Sequence, residues 1–404
     1  MSGQVDVLVV GGGPAGSTAA RLLARSGWSV ALLDRAVFPR PKPCGECLNP
    51  GAVRMLARLG VLEAVAALDP ARLQGWSVES GGRSALGSFP DAHFGLSLAR
   101  ACLDAALLQC ARAAGVDVRE RTMVVGIDAR PDGHGWRAVA ARDADGRIAP
   151  WRARVVVGAD GLRSTLARAV GAYRRGPRLR KLSITLHVET HGQDPTRGRL
   201  ILDRRGTVGL APLDQLGRRW NATVVVAADA EGRAVAGDPA AFALARIGAA
   251  LGGAGGVRVL DGPWTSGPFD WPTRRAVADG IALVGDAAGY YDPLTGQGIY
   301  RALRSAELAA GAIDSALRGG RVSGADLEPY EAALRRELRT PMRVQRGVEA
   351  VLSSEPLRSA ALALLGRARR AMDTVIGVTG DMTSARALLR PSLWSDLWKA
   401  GSTH

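Results

Sequence analysis

The sequence predicts an α/β fold: a doubly wound, Rossmann-like domain built from separated pieces, an inserted mixed β-sheet domain, and a helical C-terminal region. Three observations carry this prediction. The first thirty-five residues read strand, glycine turn, helix, strand, acid. Two further glycine–acid clusters, at 158–164 and 285–298, each follow a buried apolar run and precede a helical pattern. Between them, from 179 to 263, the pattern changes to alternating strands.

The first element is an apolar run at 5–10 that leads into Gly11-Gly12-Gly13-Pro14-Ala15-Gly16. A helix-forming run covers 17–25, and a second apolar run at 30–33 ends on Asp34 and Arg35. Each part has a job in holding a dinucleotide. Gly11 permits a tight turn, Gly13 lets the backbone approach a pyrophosphate, and Gly16 lets the helix pack close to the strand. Pro14 suits a first helical turn, where an N–H is not needed. The helix N-terminus offers N–H groups and partial positive charge to phosphates. Asp34 lies 18 residues past Gly16, near the roughly 20 expected for the carboxylate that holds ribose hydroxyls.

A proline-rich loop follows at 38–47, then a helix over 50–59 and short strands with glycine turns at 72–98. A helix over 98–114 carries Leu103, Leu107 and Leu108 on one side and stops at Gly115. Residues 116–157 read as strands with turns at Asp132-Gly133 and Asp145-Gly146, closing on Val155-Val156-Val157. Strands are expected at 182–189, 199–202, 207–213 and 220–227, a helix at 239–251, a buried strand at 281–284 and a long helix at 297–317. The remainder, 325–404, reads as helical. The dinucleotide domain is thus discontinuous, with pieces at 1–75, 98–178 and 269–324. The substrate domain takes 76–97 and 179–268, and the helical region 325–404.

Composition narrows the function. The 404 residues are 47% hydrophobic and 23% charged, ordinary for a globular protein able to bury a large core. The net charge of +15 is almost all arginine, since lysine occurs only at Lys42, Lys181 and Lys399. The arginines are dispersed without aromatic interleaving, so nucleic-acid binding is not expected. No apolar run is long enough for a transmembrane helix, and no signal peptide is visible, so a cytoplasmic setting is expected. Five histidines and four cysteines show no metal-ligand spacing, and no metal is expected.

Taken together, the three clusters resemble the FAD-dependent monooxygenases of the para-hydroxybenzoate hydroxylase fold and the geranylgeranyl reductases that share it. The resemblance covers residues 1 to 320 in the order of its motifs and implies an FAD-binding domain of the GR2 type. It implies that Gly11, Gly13, Pro14, Ala15, Gly16, Asp34 and Arg35 bind the ADP half of FAD, with Val124 alongside. It places Arg100, in Ser97-Leu98-Ala99-Arg100, toward the flavin side of the cofactor. Asp160 and Gly161 form the shared FAD/NAD(P)H motif, and Gly285 and Asp286 bind the ribityl chain. Gly296, Gln297, Gly298 and Ile299 set a helix N-terminus at the flavin pyrimidine edge, where reduced flavin is negative. Asp160 also suits a plain helix N-cap.

Lys42-Pro43-Cys44-Gly45-Glu46 resembles the Lys-Pro-Cys-Gly segment of the geranylgeranyl-reductase branch, which places Cys44 and Gly45 over the flavin. Cys44 and Cys47 form a CxxC with three readings: a redox dithiol, half of a zinc site, or a site-lining thiol beside a packing cysteine. A disulfide oxidoreductase is rejected, because the position five after Cys47 is Ala52.

Expected catalytic positions are Cys44, Tyr291, Pro293 and Gly296. The substrate wall is expected near Leu186, Leu200, Leu202, Leu210 and Pro212, with Tyr290 and Tyr291 orienting substrate or packing. The resemblance favours monooxygenation of an aromatic or other electron-rich, apolar small molecule through a flavin hydroperoxide, a chemistry common in secondary metabolism. NADPH or NADH is the expected transient reductant, docking without a domain of its own. The rival reading is a reductase of isoprenoid C=C bonds, supported by the Cys44 loop and by Pro293-Leu294-Thr295-Gly296, although Gln297 replaces that family's glutamate. A flavin halogenase would show a Trp-x-Trp-x-Ile-Pro segment, absent here. A flavin-binding assembly partner is the non-enzyme alternative. Leu393-Trp394-Ser395-Asp396-Leu397-Trp398 has paired apolar residues at helical spacing, suited to the protein's own core or to peripheral membrane contact.

Overall fold

A computed structural model of the chain describes residues 3–394, apart from 129, 174–175, 178–179, 254–255 and 291–293. The main sheet has eight strands, and its parallel core is Ile281–Leu283, Ile148–Gly158, Gly3–Val10, Val30–Leu33 and Asp117–Arg119 in spatial order. In chain order these strands are 5-4-1-2-3, the Rossmann arrangement whose order reverses beside the first strand. Val7, Leu8, Val9, Leu32 and Val155 to Val157 are buried, because strands covered on both faces read as unbroken apolar runs. The helices Pro14–Arg25, Arg100–Ala113 and Gly298–Arg318 pack together against this core. Two antiparallel strands, Arg137–Arg142 and Met123–Ile127, branch from Ile148–Gly158.

The second sheet has seven strands: Arg258–Ser266, Lys181–Glu189, Arg219–Ala227, Gly206–Pro212, Arg197–Asp203, Gly75–Ser80 and Arg83–Ser88. The last two come from the short segment before the helix Arg100–Ala113 and join by parallel pairing of Gly75–Ser80 to Arg197–Asp203. Side chains alternate along Arg219–Ala227 with period two. Trp220, Ala222, Val224 and Val226 are buried in the core with the helices Ala228–Gly237 and Pro239–Ala250. Asn221, Thr223 and Val225 line a cleft instead. A small third sheet pairs Cys47–Leu48 and Ala71–Leu73 on either side of Gly95–Ser97.

Three helices follow the Rossmann core: Gly324–Ser353, Glu355–Arg367 and Arg369–Thr379. The first starts on a capping box of Ser323 and Asp326. The last lies across Arg83–Ser88, where a Cβ at Gly87 would stand 2.5 Å from Ile376 and 3.0 Å from Met372. Glycine at 87 is what lets that helix sit on the strand.

Several expectations shift. The helix expected at 98–114 begins at Arg100, because Leu98 and Ala99 are extended and the Leu98 N–H donates to the Glu46 carbonyl. The helix Ala228–Gly237 is not anticipated by the sequence reading. The long helix expected at 297–317 is in place as Gly298–Arg318, and within the glycine cluster that precedes it Gly285–Ala288 forms a 3-10 turn. The region after 379 is not continuous helix but short 3-10 turns, Ala385–Leu389 and Pro391–Trp394. Most of the segment 393–398 lies outside the described residues.

Candidate active site

One cleft of about 1310 Å³ lies between the two large sheets and the C-terminal helices. A pocket for a single drug-sized ligand occupies roughly 300–1,000 Å³, so this one has room for an extended cofactor and a substrate together. Its lining brings together residues that are far apart in sequence, from Gly11 to Leu388.

At one end stands the glycine turn. Gly11 has φ +104°, and a Cβ there would press on the Ala159 carbonyl, so this turn packs directly on the second glycine cluster. A Cβ at Gly16 would overlap the Gly11 carbonyl oxygen. Gly16 therefore sits behind the cleft rather than in it, as the helix-packing glycine. Gly13, Pro14 and Ala15 line the cleft, and no side chain caps their helix. Its N-terminal N–H groups remain available to an anion. Asp34 is buried beside them. Its Oδ2 accepts the Gly12 N–H at 2.6 Å and its Oδ1 the Ala36 N–H at 2.8 Å. Each oxygen keeps a lone pair for a ribose hydroxyl. Arg35 and Val124 line the same end.

The middle of the cleft is cationic. The Arg40 guanidinium lies 3.7 Å from where a Gly13 Cβ would be, and Lys42 Nζ 3.8 Å from where a Gly161 Cβ would be. Lys42 also faces Asp286 at 3.8 Å. The N-cap of the short helix Thr165–Ala169 is Ser164, whose hydroxyl accepts the Ala167 N–H at 2.9 Å; Asp160 Oδ2 adds to it by accepting the Thr165 and Leu166 N–H groups at 2.6 and 3.4 Å. The Oδ1 of Asp160 is buried, lacks a protein partner, and belongs to the cleft lining. Arg100 lines the cleft too, but its guanidinium is held bidentate by buried Asp104 at 2.7 and 2.8 Å. Burial alone would lower its pKa; the Asp104 carboxylate and the Cys44 sulfur outweigh that and raise it. Arg100 is a fixed cation, and Arg40, which shares Asp104 at 3.4 Å, is one that sequence reasoning missed.

At the far end Gly285, Asp286, Gly296, Gly298 and Ile299 line the cleft. Side chains would meet nothing within 4 Å at Gly296 or Gly298, so the start of the helix Gly298–Arg318 is bare toward the space a ring would fill. Gln297 does not line the cleft. It is buried, and its amide donates to Asp381 at 2.6 Å. Tyr290 is in the lining; Tyr291 and Pro293 lie outside the described residues.

Over this end lies the Cys44 loop. Cys44 lines the cleft, its sulfur accepting the Glu46 N–H at 3.4 Å and its carbonyl the Asn221 amide at 2.8 Å. Glu46, in left-handed backbone with φ +57°, is 3% exposed. Its carboxylate accepts the Arg100 backbone N–H at 2.7 Å and the Asn221 amide at 3.1 Å, and bonds His187 Nε2 at 2.7 Å. The His187 ring packs edge-on to Trp264. Glu46, His187 and Asn221 thus tie the cysteine loop of the Rossmann domain to the second sheet. The sequence offered one signal for this, a charged residue directly after Cys44-Gly45. Cys47 borders the apolar part of the cleft, packed with Phe89, Leu362 and Met372. It is buried, its thiol donates to the Gly45 carbonyl at 3.1 Å, and burial pushes its pKa well up. It stays protonated and packs, which does not suit a redox dithiol.

Beyond the cysteine the cleft turns apolar. Trp76, Val78 and Phe89 meet Leu362, Met372 and Ile376 of the C-terminal helices, and Leu200 lines the same cleft. Of the expected wall residues, Leu200 is in place, opposite Gly209 on the cleft face; Leu210 lies opposite core-facing Ala222 and is buried under the covering helices. Leu186 is buried in the core on the helix-covered face of its sheet. Leu202 and Pro212 do not reach the cleft. Among the described residues, no cluster of three His, Cys, Asp or Glu could hold a metal ion, and no helix is long and apolar enough to cross a membrane.

The glycine cradle, the bare helix ends, the cationic middle and the unpartnered Asp160 oxygen fit FAD. The chain belongs to the FAD binding domain family, whose model matches residues 4–340. It is 31% identical to the menaquinone reductase of Mycolicibacterium smegmatis over 341 residues, covering 77% of this chain and 76% of that protein. It is 30% identical to digeranylgeranylglycerophospholipid reductase 2 of Methanothermobacter thermautotrophicus, over 83% of this chain and 84% of that one. Other relatives are longer: the chain spans 66% of the Dictyostelium discoideum conditioned medium factor receptor 1 at 29% identity, and 40% of the Mycobacterium tuberculosis menaquinone reductase at 38% identity. Among solved structures, the flavin-dependent halogenase CmlS superposes with a TM-score of 0.79 at 23% identity, over 99% of this chain and 78% of that one, a likeness of fold.

Proposed function

We propose that this protein is a reductase that saturates carbon–carbon double bonds in an apolar, isoprenoid-like substrate, using FAD reduced by NADPH or NADH. One observation carries the reading: the cleft runs past the Cys44 loop into a chamber walled by Trp76, Phe89, Leu362, Met372 and Ile376, with Cys44 at the junction. The sequence ranked monooxygenation first. The apolar side chains of that chamber suit an isoprenoid chain. The two reductases similar over more than three quarters of their length support the same choice.

FAD held by the glycine turn, Asp34, Asp160 and the start of the helix Gly298–Arg318 would, once reduced by NADPH or NADH, supply hydride chemistry at an alkene carbon. The chain does the rest. The apolar walls align the substrate and exclude water. The Cys44 thiol, facing the cleft, delivers the proton to the second carbon. Arg40, Lys42 and Arg100 balance the pyrophosphate charge. The bare N-terminus of the helix Gly298–Arg318 stabilises negative charge at the ring edge. The test is product analysis after anaerobic incubation with NADPH or NADH and polyprenyl or prenylquinone substrates. The reading expects products heavier by two hydrogens. Products formed only with oxygen, and carrying an oxygen atom, would restore the monooxygenase.

A further inference from the structure

The C-terminal helices meet the Rossmann domain at a carboxylate outside the cleft. Asp381 follows the helix Arg369–Thr379 in left-handed backbone, φ +56°. Its Oδ1 accepts the Gln297 amide at 2.6 Å and its Oδ2 the Asn49 amide at 2.7 Å. These are the N-cap residues of two helices, Gly298–Arg318 and Pro50–Arg58. Asn49 also donates to the Thr379 carbonyl at 3.0 Å, and Arg54 to the Asp381 carbonyl at 3.0 Å. The Gly51 N–H donates to the Gly380 carbonyl at 2.9 Å. A Cβ at Gly51 would stand 2.7 Å from that of Asp381, so this helix start is shaped to receive the segment. On the other side, the Thr295 hydroxyl donates to the side-chain amide oxygen Oε1 of Gln297 at 3.1 Å, next to cleft-lining Gly296. Gln345 of the helix Gly324–Ser353 donates to Thr295 and accepts from Arg301.

We propose that Asp381 is a positioning residue for the loop at 295–298: through Gln297 it sets that loop in its FAD-receiving shape, so docking of the C-terminal helices and seating of the cofactor are one event. Asp381 touches neither the cleft nor the reacting atoms and acts only through Gln297. The inference holds for any reaction at the flavin and does not depend on the reductase reading.

The charged and titratable groups around it are Arg301 and Tyr300 of the helix Gly298–Arg318, Glu337 of Gly324–Ser353 and Arg54 of Pro50–Arg58. Burial raises the Asp381 pKa to about 6, with Arg301 opposing and Glu337 adding to the shift.

The test is FAD affinity of the full-length apoprotein, read by flavin fluorescence at pH 5.5 and pH 8. Gln297→Glu places a second carboxylate against Asp381. It is expected to weaken FAD binding about tenfold or more at pH 8 and to regain most of it at pH 5.5, where the pair shares a proton. Q297E/D381N restores a donor–acceptor pair and is expected to bind FAD at pH 8 within about threefold of the original protein, a difference of well under 1 kcal/mol. Unchanged affinity of Q297E at pH 8 would overturn the proposal. So would a double variant no better than Q297E. If Q297E does not fold at pH 8, recovery of folding and FAD binding in the double variant supports the proposal, and failure to recover overturns it.

Discussion

At the scale of single residues the site turns on Cys44 and on what holds it. Its sulfur borders the cleft, while its carbonyl and the following glutamate are bonded into the second sheet. Cys44→Ala is expected to lower the rate of substrate reduction by about a hundredfold or more, the typical range for loss of a proton donor. FAD content, read from the visible spectrum, should be unchanged. Glu46→Ala removes an acceptor from the Arg100 backbone N–H, His187 and Asn221 at once. Each buried group left unpaired costs about 1–3 kcal/mol. Thermal unfolding should show a loss within or above that range. Cys44 was legible from its motif, but Glu46's partners His187 and Asn221 were not. They lie on neighbouring strands in direct register, His187 opposite Asn221, and no local pattern in the sequence announces which strand pairs with which.

At the scale of elements, the glycine turn and its helix were readable because each glycine answers a local requirement. Gly11 needs positive φ, Gly13 leaves room for phosphate, and Gly16 packs on Gly11. Gly16→Val would force the helix Pro14–Arg25 off the strand Gly3–Val10. The expected result is a loss of about 1–3 kcal/mol in denaturant unfolding, as for overpacked cores, with FAD no longer retained through gel filtration. The strands of the second sheet were equally readable from period-two alternation, but the substrate wall was not: of five expected positions only Leu200 presents its side chain to the cleft. Leu200 faces the cleft, whereas Leu186 and Leu210, both opposite Ala222, face the covering helices. Parity within one strand is visible in sequence. Which parity meets the cleft is fixed by the sheet's neighbours, including two strands that arrive from residues 75–88. Asp381 was the least legible: its partners Gln297 and Asn49 lie 84 and 332 residues away.

At the scale of the whole molecule, two sheets and a helical cover share one cleft, and Asp381 joins the cover to the Rossmann domain. Burial lifts its pKa to about 6, above the ~3.9 of an unfolded chain. The sign follows from linkage: the native state holds this proton more tightly than the unfolded state. The stability it contributes is present below about pH 4 and lost as pH rises through 6. The difference amounts to at most about 3 kcal/mol. Denaturant unfolding from pH 4 to 8, compared between the original protein and Asp381→Asn, should show this falling component in the first and not in the second.

The proposed reductase reading, that the substrate itself accepts the flavin's electrons, has a direct measurement. The protein is loaded with FAD, reduced without oxygen, and mixed anaerobically with a polyprenyl or prenylquinone substrate while the flavin absorbance is followed. Reoxidation of the flavin, with two electrons consumed per double bond saturated, is the predicted result. A flavin that stays reduced with every such substrate, and reoxidises only when oxygen is admitted, would contradict the account.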